Sequence, residues 1–551
     1  MNVQLVIIPF EEELLPVRKL TTGNLSCIYE HGSLRYLKCG ETELIRMIYF
    51  AVRDKDWKTA EYTIQNESIQ TFEGGFLISY SAFHHLDKID YRTDVTIKAE
   101  NQVISFDVKG EALSSFKRNR IGICVLHPIK EYRGKAVRIE RRDGTKYHSK
   151  FPDLISPHQP FKEIYKMHCQ ISESIKTDLI FEGDVFETED QRNWTDSTYK
   201  TYSTPVNIPF PVDVSKGEIV EQRLELRVAG EKPENKNETT TIERKIAFPK
   251  IGYEANNDEP LSETEIDSLK QIPFDHYRAE ISLFYPGWHK NLHERFEETR
   301  KLNTKLELIL SFNEDYKIQI EDFAKEIKEM SSYIDSLLIL QMHHASTPAG
   351  LMEAVYTEIK KSFPHILIGY GTNGFFADLN RNRPTGDHFD FVSFSLSPQV
   401  HASDTRTLTE NLERQSDLIE VVRTFAPGKV IHISPITFKI RSSPGKVTTL
   451  PADYDARQHR SFGAMWTLLS LKNLAEADRL TFYQVKGYRG ILQTRDQSPL
   501  YKMLKAIKTF NPRWIVINDH DQNILPGKVV LENNEGRKLE FTITPEHIFH
   551  H

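Results

Sequence analysis

Strand-like runs alternate with amphipathic helices through the second half of this sequence, and that alternation restricts the fold more than any other feature. Eight such runs occur, at Ile246–Ile251, Arg278–Ser282, Leu306–Ser311, Ser336–Gln341, Ile366–Gly369, Phe389–Ser395, Val430–Ile433 and Leu480–Gln484. Helical spacing of apolar residues is found between many of them, as in Ile320, Phe323, Ala324 and Ile327, and in Leu500, Met503, Leu504 and Ile507. The pattern predicts a (β/α)8 TIM-like barrel over residues 242–512, with a doubly wound sheet as the alternative.

The regions on either side of the predicted barrel have β-strand patterns. Short alternating or β-branched runs recur up to residue 235, and turn signals such as Arg142–Gly144 separate several of them. They predict an N-terminal β-sandwich-like domain over residues 1–235. A polar stretch after Gly230 is the expected linker, and residues 513–551 return to β as a small C-terminal segment. The predicted architecture is therefore a multidomain α/β plus β protein with a central barrel.

The net charge of the chain limits the classes of partner that it is expected to bind. The 551 residues include 71 Lys and Arg against 78 Asp and Glu, which gives a net charge of −7 and no basic footprint for nucleic acid. No apolar run approaches the ~20 residues that span a membrane, and the start of the chain lacks the pattern of a signal peptide. We therefore expect a cytoplasmic protein with no nucleic-acid or membrane partner, and the composition leaves a homo-oligomer open.

Candidate site residues follow from the barrel prediction, because active sites of this fold lie where the strands end at the carboxyl face. The ends of the fourth to eighth predicted strands supply side chains that hydrogen-bond polyhydroxylated ligands: His344, Asn373, Gln399, His401, His432, Gln484 and Arg489. Most glycoside hydrolases use two carboxylates, and neither the fourth nor the seventh predicted strand ends in Asp or Glu. Ordinary retaining glycosidase chemistry is therefore poorly supported.

The densest polar segment of the sequence precedes the barrel. Fifteen consecutive positions there contain six carboxylates together with an Arg, an Asn and a Trp. Trp194 is suited to stack on a sugar-like ring while Arg192 and Asn193 bind its oxygens. One of Glu187, Glu189 and Asp190 is suited to act as a general base. The alternatives are a divalent-cation site built from the carboxylates and a solvated acidic loop.

Five blocks of sequence resemble the D-apionate lactonase family. They run from Lys117 to Pro128, Phe151 to Phe161, Phe181 to Tyr202, Phe391 to Ala402 and His432 to Thr437. The resemblance implies a bacterial enzyme with an N-terminal β-domain, a central TIM barrel and a C-terminal domain, which hydrolyses D-apionolactone to D-apionate in apiose catabolism. It also implies a carboxylate on the eighth barrel strand, where this chain has Gln484. A change of substrate or a loss of activity is therefore a further expectation.

Opening a five-membered sugar lactone, an activated cyclic ester, requires a positioned water, a general base and a hydrogen-bond donor to the oxyanion. The predicted catalytic residues are Glu189, Asp190, His344 and His432. The predicted substrate contacts are Arg192, Asn193, Trp194, His158, Asn373, Gln399, His401, Gln484 and Arg489. We expect this chemistry to require no cofactor, with a divalent cation as the alternative.

Two other functions are left open by the sequence. One is a divergent TIM-barrel glycoside hydrolase that acts on plant cell-wall oligosaccharides and draws its acids from outside the fourth and seventh strands. The other is a non-catalytic carbohydrate-binding relative, for which Gln484 is the supporting feature. Release of reducing sugar would favour the first function, and sugar-dependent stabilisation without turnover would favour the second.

Overall fold

The computed structural model describes residues 3–7, 16–230, 243–256, 259–440, 454–492, 498–518 and 527–544. The chain forms two units. The β unit comprises Leu15–Gln191 and Thr198–Glu238, and the barrel unit comprises Met1–Leu14, Arg192–Ser197 and Thr239–His551. The short segment Arg192–Ser197 therefore belongs to the barrel unit, although the residues on both sides of it in sequence belong to the β unit.

The β unit contains two nine-stranded antiparallel sheets. The first has the order Phe161–Ile164, Phe186–Asp190, Thr198–Tyr202, Phe116–Pro128, Thr42–Asp54, Ser33–Cys39, Leu25–Glu30 and Arg18–Thr22, with Val212–Val214 also paired to Phe116–Pro128. The second has the order Lys146–Lys150, Ala136–Glu140, Lys166–Gln170, Ile175–Glu182, Ile219–Gly230, Val103–Ala112, Ile89–Glu100, Gly75–Leu86 and Glu61–Phe72. A short helix spans Ile129–Tyr132.

Both sheets of the β unit contribute to one hydrophobic core. In the strand Ile89–Glu100, for example, buried positions alternate with more exposed ones along the whole length. Alternation of this kind places every second side chain on the core face, because successive side chains of a strand point to opposite faces. One face of this strand therefore lies in the core, whereas Thr198–Tyr202 of the first sheet is buried at all five positions.

The barrel unit contains a closed parallel barrel of eight strands, and the predicted TIM-like barrel is confirmed. The strands are β1 (Lys250–Glu254), β2 (His276–Ser282), β3 (Lys305–Phe312), β4 (Ile334–Gln341), β5 (Leu367–Phe375), β6 (Phe391–Leu396), β7 (Val430–Ile436) and β8 (Arg479–Lys486). Each strand pairs with the next in parallel, and β1 pairs with β8 to close the ring. A short strand, Gly490–Leu492, pairs with β8.

Helices of the barrel unit span Glu263–Leu269, Trp288–Leu302, Tyr316–Glu326, Ala349–Ser362, Phe376–Arg381, Thr405–Glu410, Gln415–Phe425, Ser461–Asn473 and Pro499–Phe510. Their ends follow local sequence signals. Ser262 forms a capping box with Glu265, and Ser498 caps a helix whose first residue is Pro499. The helix after β5 has only six residues.

A five-stranded sheet completes the barrel unit. Its order is Val3–Ile7, Lys538–Ile543, Gly527–Glu532, Trp514–Asn518 and Glu243–Ala247. The predicted first barrel strand, Ile246–Ile251, was wrong in its bounds, because it joins the end of Glu243–Ala247 to the start of β1. Pro249 lies between the two strands and has no N–H to donate to a ladder. No helix in the described part of the chain is both long and apolar enough to cross a membrane.

Candidate functional site

A charged network lies at the carboxyl end of the barrel, and Arg278 of β2 is its centre. Arg278 Nη1 donates to Glu254 at the end of β1 and, at 2.8 Å, to Glu280 Oε1. Arg278 Nη2 donates to the side-chain oxygen of Asn373 on β5, and Asn373 Nδ2 donates to Glu280 Oε1 at 2.9 Å. We call Glu254, Arg278, Glu280 and Asn373 the mouth network.

The members of the mouth network differ in how much of each side chain is exposed to solvent. The side chain of Arg278 is 0% exposed and that of Glu254 is 5% exposed, whereas that of Glu280 is 32% exposed. Two donors therefore fix the Glu280 carboxylate while part of it still faces solvent. A carboxylate held in this way is suited to accept hydrogen bonds from the hydroxyl groups of a ligand.

Gln484 borders the mouth network from β8. It lies opposite Glu254 in the parallel register of β1 and β8, and its side chain is partly buried. The backbone N–H of Gln484 donates to the carbonyl of Arg489 at 3.2 Å, and Arg489 itself is partly buried. Of the predicted substrate contacts, Asn373 is thus a member of the mouth network and Gln484 lies next to it in register.

The segment Arg192–Ser197 contacts the loops that follow β5 and β6. The Trp194 ring makes edge contacts with Phe375 at the end of β5, at 5.4 Å between centroids, and with His401, at 6.1 Å. The Arg381 guanidinium lies 5.4 Å from the Trp194 ring centroid. Trp194 is partly exposed, and its stacking on a sugar ring stays a prediction.

Arg192 and Asn193 are buried and hold this segment in place. Arg192 Nη1 donates to Asp417 Oδ2 at 2.7 Å, with both side chains at most 5% exposed. Asn193 Oδ1 accepts a hydrogen bond from Asn380 Nδ2 at 2.9 Å. Gln399, also buried, donates from Nε2 to Asp455 Oδ2 at 2.9 Å. The predicted contacts of Arg192 and Asn193 with a ligand would require these two buried side chains to be reached.

A second polar group lies inside the barrel. We call it the interior cluster, and it comprises His276, Glu307, His432, Ser434 and Thr481. Ser434 Oγ donates to Glu307 Oε1 at 2.6 Å, and His432 Nδ1 lies 3.0 Å from Glu307 Oε2. Thr481 Oγ1 is 2.8 Å from His276 Nε2. Gly252 leaves the space that the His276 ring fills, because a side chain at that position would overlap the ring.

Burial sets the protonation of the interior cluster. It lowers the pKa of His276 to about 3 and also lowers the pKa of His432. Burial alone would raise the pKa of Glu307, but hydrogen bonds from His432 and Ser434, together with the nearby histidines, hold it below its usual range. The cluster therefore contains a buried carboxylate whose Oε1 accepts a hydrogen bond from Ser434 and whose Oε2 lies beside the His432 imidazole. His432 is fully buried and stacks on Phe391 at 4.0 Å.

The remaining predicted residues lie elsewhere. His344 is exposed in the turn after β4. Three others belong to the β unit: Glu189 pairs with Lys200 at 3.3 Å, Asp190 Oδ2 accepts from the Ser156 backbone N–H at 3.1 Å, and His158 is exposed. The acidic segment is thus divided, with its predicted bases in the β unit and Arg192, Asn193 and Trp194 in the barrel unit.

Sequence reasoning missed Glu254, Arg278 and Glu280. It considered only the fourth to eighth strand ends, whereas these residues lie on β1 and β2. A usable signal was present, because Arg278 and Glu280 are two charged residues on one face of a strand whose inward positions are usually bulky and branched. Among the described residues, no three His, Cys, Asp or Glu side chains are arranged to hold a metal ion.

Comparisons with known proteins agree across both units. A family model described as D-apionate lactonase, N-terminal domain, matches residues 7–231, and one described as D-apionate lactonase, TIM barrel domain, matches residues 252–512. A D-apionate lactonase of Brucella anthropi is 27% identical, over 94% of this chain and 91% of the relative.

Similarity to solved structures is much weaker. The GH36 α-galactosidase AgaA from Geobacillus stearothermophilus is 9% identical with a TM-score of 0.28, over 94% of this chain and 91% of that one. A GH30 endoxylanase from Clostridium papyrosolvens is 10% identical with a TM-score of 0.38, over 53% of this chain and 80% of that one. Likenesses this weak bear on neither the fold nor the activity.

Proposed function

Because the chain belongs to the D-apionate lactonase family, we propose that it hydrolyses a sugar lactone, D-apionolactone or a close aldonolactone, to the free sugar acid. The family match over both units and the named activity of the Brucella anthropi relative support this proposal. The proposed setting is the bacterial cytoplasm, with a small neutral lactone as the partner and no required cofactor.

The observation that carries the proposal is the half-buried Glu280 carboxylate at the barrel mouth. Arg278 and Asn373 fix it in place, and its exposed part is suited to accept hydrogen bonds from the hydroxyl groups of the sugar ring. A neutral lactone meets no repulsion there. The product is a carboxylate, which the anions Glu254 and Glu280 disfavour at short range, and this charge difference would favour product release.

The chemistry requires a water that attacks the lactone carbonyl carbon. A general base in such a reaction typically contributes about 10²–10⁴-fold, and one donor to the oxyanion about 10²–10³-fold. We propose that the base is drawn from the mouth of the barrel and not from His432, because a fully buried imidazole cannot take a proton from a solvent-facing water. The roles predicted for Glu189 and Asp190 remain predictions, which alanine variants of each would test.

The test is a pH-indicator assay of acid release from D-apionolactone, beside other aldonolactones, with and without EDTA. We expect release that is fastest with D-apionolactone. Release from another lactone alone would keep the chemistry and change the substrate, and loss of activity with EDTA would show a need for a divalent cation. A folded protein that releases acid from no lactone would contradict the proposal. Aryl glycosides serve as the control, since only a glycosidase would release their aglycone.

A further inference from the structure

An aspartate and a histidine form a hydrogen-bonded pair in the barrel unit that the mouth network does not include. Asp196 Oδ2 lies 2.5 Å from His401 Nδ1. The Asp196 side chain is 6% exposed and that of His401 is 16% exposed. When a carboxylate accepts the hydrogen of Nδ1, Nε2 carries the lone pair and is the nitrogen that can accept a proton. The pair therefore has the arrangement in which a carboxylate orients a histidine base.

Further hydrogen bonds fix the Asp196 carboxylate and its neighbours in sequence. Asn411 Nδ2 donates to Asp196 Oδ1 at 2.9 Å, and the same amide group lies 3.2 Å from the carbonyl of Pro398. Ser197 Oγ donates to the carbonyl of Glu410 at 2.6 Å, and Thr195 Oγ1 donates to the carbonyl of Ser397 at 2.7 Å. These bonds fix the segment Arg192–Ser197 to the loop that follows β6 and to the end of the helix Thr405–Glu410, so the carboxylate meets the imidazole in a defined position.

The pair lies at the carboxyl end of the barrel, the same end as the mouth network. His401 follows β6 by five residues and contacts the Trp194 ring, which in turn contacts Phe375 at the end of β5. Asn373 of the mouth network is two residues before Phe375 on that strand. Ser395 Oγ of β6 donates to the carbonyl of Gly374 at 2.7 Å, which joins the two strand ends. Trp194 therefore lies between the histidine and the strand that supplies Asn373.

We propose that His401 is the general base of the lactonase and that Asp196 is its positioning residue. The inference rests on the proposed function. His401 Nε2 takes a proton from water as the water oxygen bonds to the lactone carbonyl carbon. The tetrahedral intermediate then collapses, the bond from carbon to the ring oxygen breaks, and the imidazolium returns its proton to that oxygen. The products are a hydroxyl group and a carboxylic acid, which ionises and releases one proton to solvent. Asp196 is a charged group in contact with the imidazole, and the Arg381 guanidinium lies over the same Trp194 ring that the imidazole contacts.

The test compares His401→Gln, Asp196→Asn and the control His365→Gln in the full chain. His365 is an exposed histidine just before β5, at the amino end of the barrel. We measure kcat and KM for the lactone from pH 5 to 9, and Tm for each variant. H401Q should lower kcat by about 10²–10⁴-fold with little change in KM. Its remaining rate should rise in proportion to hydroxide, without the acid limb of the wild-type profile.

Asp196→Asn keeps the shape of the side chain and removes its charge. It should lower kcat less than H401Q and change the pH profile of kcat, since an amide no longer fixes the hydrogen on Nδ1. An unchanged pH profile together with a lowered Tm would show that the pair only fastens the segment, and would overturn the inference. If H401Q does not fold, this variant alone decides the question.

The two proposals can fail separately. An active wild-type protein whose H401Q variant keeps its kcat and acid limb overturns the base assignment and leaves the lactonase function intact. A wild-type protein that hydrolyses no lactone overturns the function itself and the base assignment with it.

Discussion

The barrel unit contains two polar clusters with similar side chains and opposite access to solvent. The mouth network holds Glu280 between Arg278 and Asn373, and the interior cluster holds Glu307 between Ser434 and His432. The Glu280 side chain is 32% exposed and that of Glu307 is 1% exposed. Access to solvent therefore separates a carboxylate that a ligand can reach from one that contributes to the fold.

The mouth network and the interior cluster also differ in how the charge of their carboxylates is stabilised. In the mouth network one arginine pairs with two carboxylates through the same nitrogen, so the three side chains together keep one negative charge. In the interior cluster burial keeps the histidines neutral, so Glu307 depends on hydrogen bonds for its stabilisation. A buried polar group is tolerated when its hydrogen bonds are satisfied, and it is costly when one partner is removed. Substitutions in the two clusters should accordingly affect different properties.

Arg278→Met should have the largest effect, because Arg278 is the shared partner of three side chains. Removal of a fully buried cation leaves Glu254 buried without it, and breaking such a pair typically costs about 3–5 kcal/mol of the free energy of unfolding. Lactone hydrolysis should also be lost, since Glu280 loses one of the donors that fix it. Urea unfolding and the acid-release assay measure the two effects.

Arg300→Met, on an exposed helix position paired with Glu297, should change stability by less than about 0.5 kcal/mol. Wild-type stability in R278M would contradict the proposed centre of the network.

Glu280→Gln and Glu307→Gln form a matched pair that divides function from stability. E280Q replaces a charged acceptor with a neutral one, and a hydrogen bond to a charged group is worth about 1.5–3 kcal/mol, so kcat/KM should fall by roughly 10–100-fold. The free energy of unfolding should change little. E307Q should do the reverse, with a loss of about 1–3 kcal/mol of stability and a near-normal kcat/KM for the folded protein. Equal kinetic losses in both variants would mean that the two clusters are not functionally distinct.

Local patterns in the sequence were sufficient to predict the barrel but not its site. The apolar spacing of Leu500, Met503, Leu504 and Ile507 predicts a helix face, and all four side chains are buried in Pro499–Phe510. The mouth network, by contrast, joins Arg278 to residues 24 and 95 positions away. Those contacts exist only once the register of β1, β2 and β5 is set, and a single sequence does not give that register.

The position of the segment around Trp194 is a second feature that the sequence alone could not predict. Its composition indicated a ligand contact, and the resemblance to a known family selected the same block. Its assignment to the barrel unit depends on bonds such as that from Thr195 to Ser397, 202 residues later in the chain. No periodicity in the sequence encodes a contact at that separation, so the Asp196–His401 pair could not be predicted, although both residues lie in quoted blocks.

His276→Gln tests the interior cluster through pH. The unfolded chain protonates His276 near pH 6.5, while the folded protein does so only near pH 3, so acid favours the unfolded state between these values. The wild type should therefore lose about 2 kcal/mol more stability than H276Q between about pH 7.5 and pH 5. Urea unfolding followed by tryptophan fluorescence at three pH values measures the difference. Glu307 is common to both proteins, and His365→Gln should follow the wild type. Parallel curves for wild type and H276Q would show that this imidazole is not held neutral.

Gln484→Glu should have the smallest effect, and it addresses the departure of this chain from the carboxylate implied by its family resemblance. Gln484 lies opposite Glu254 in the register of β1 and β8, so a new carboxylate there would join Glu254 and Glu280 around the one guanidinium of Arg278. Like charges disfavour one another's ionised forms, and we expect kcat/KM to fall by less than about tenfold, or 1.4 kcal/mol. Gln484→Met, which has a similar volume and no charge, separates the effect of charge from that of the lost amide. A rise in kcat/KM of tenfold or more in Q484E, but not in Q484M, would instead mean that an acid on β8 takes part in the reaction and that the mouth network of this chain is an incomplete form of the site.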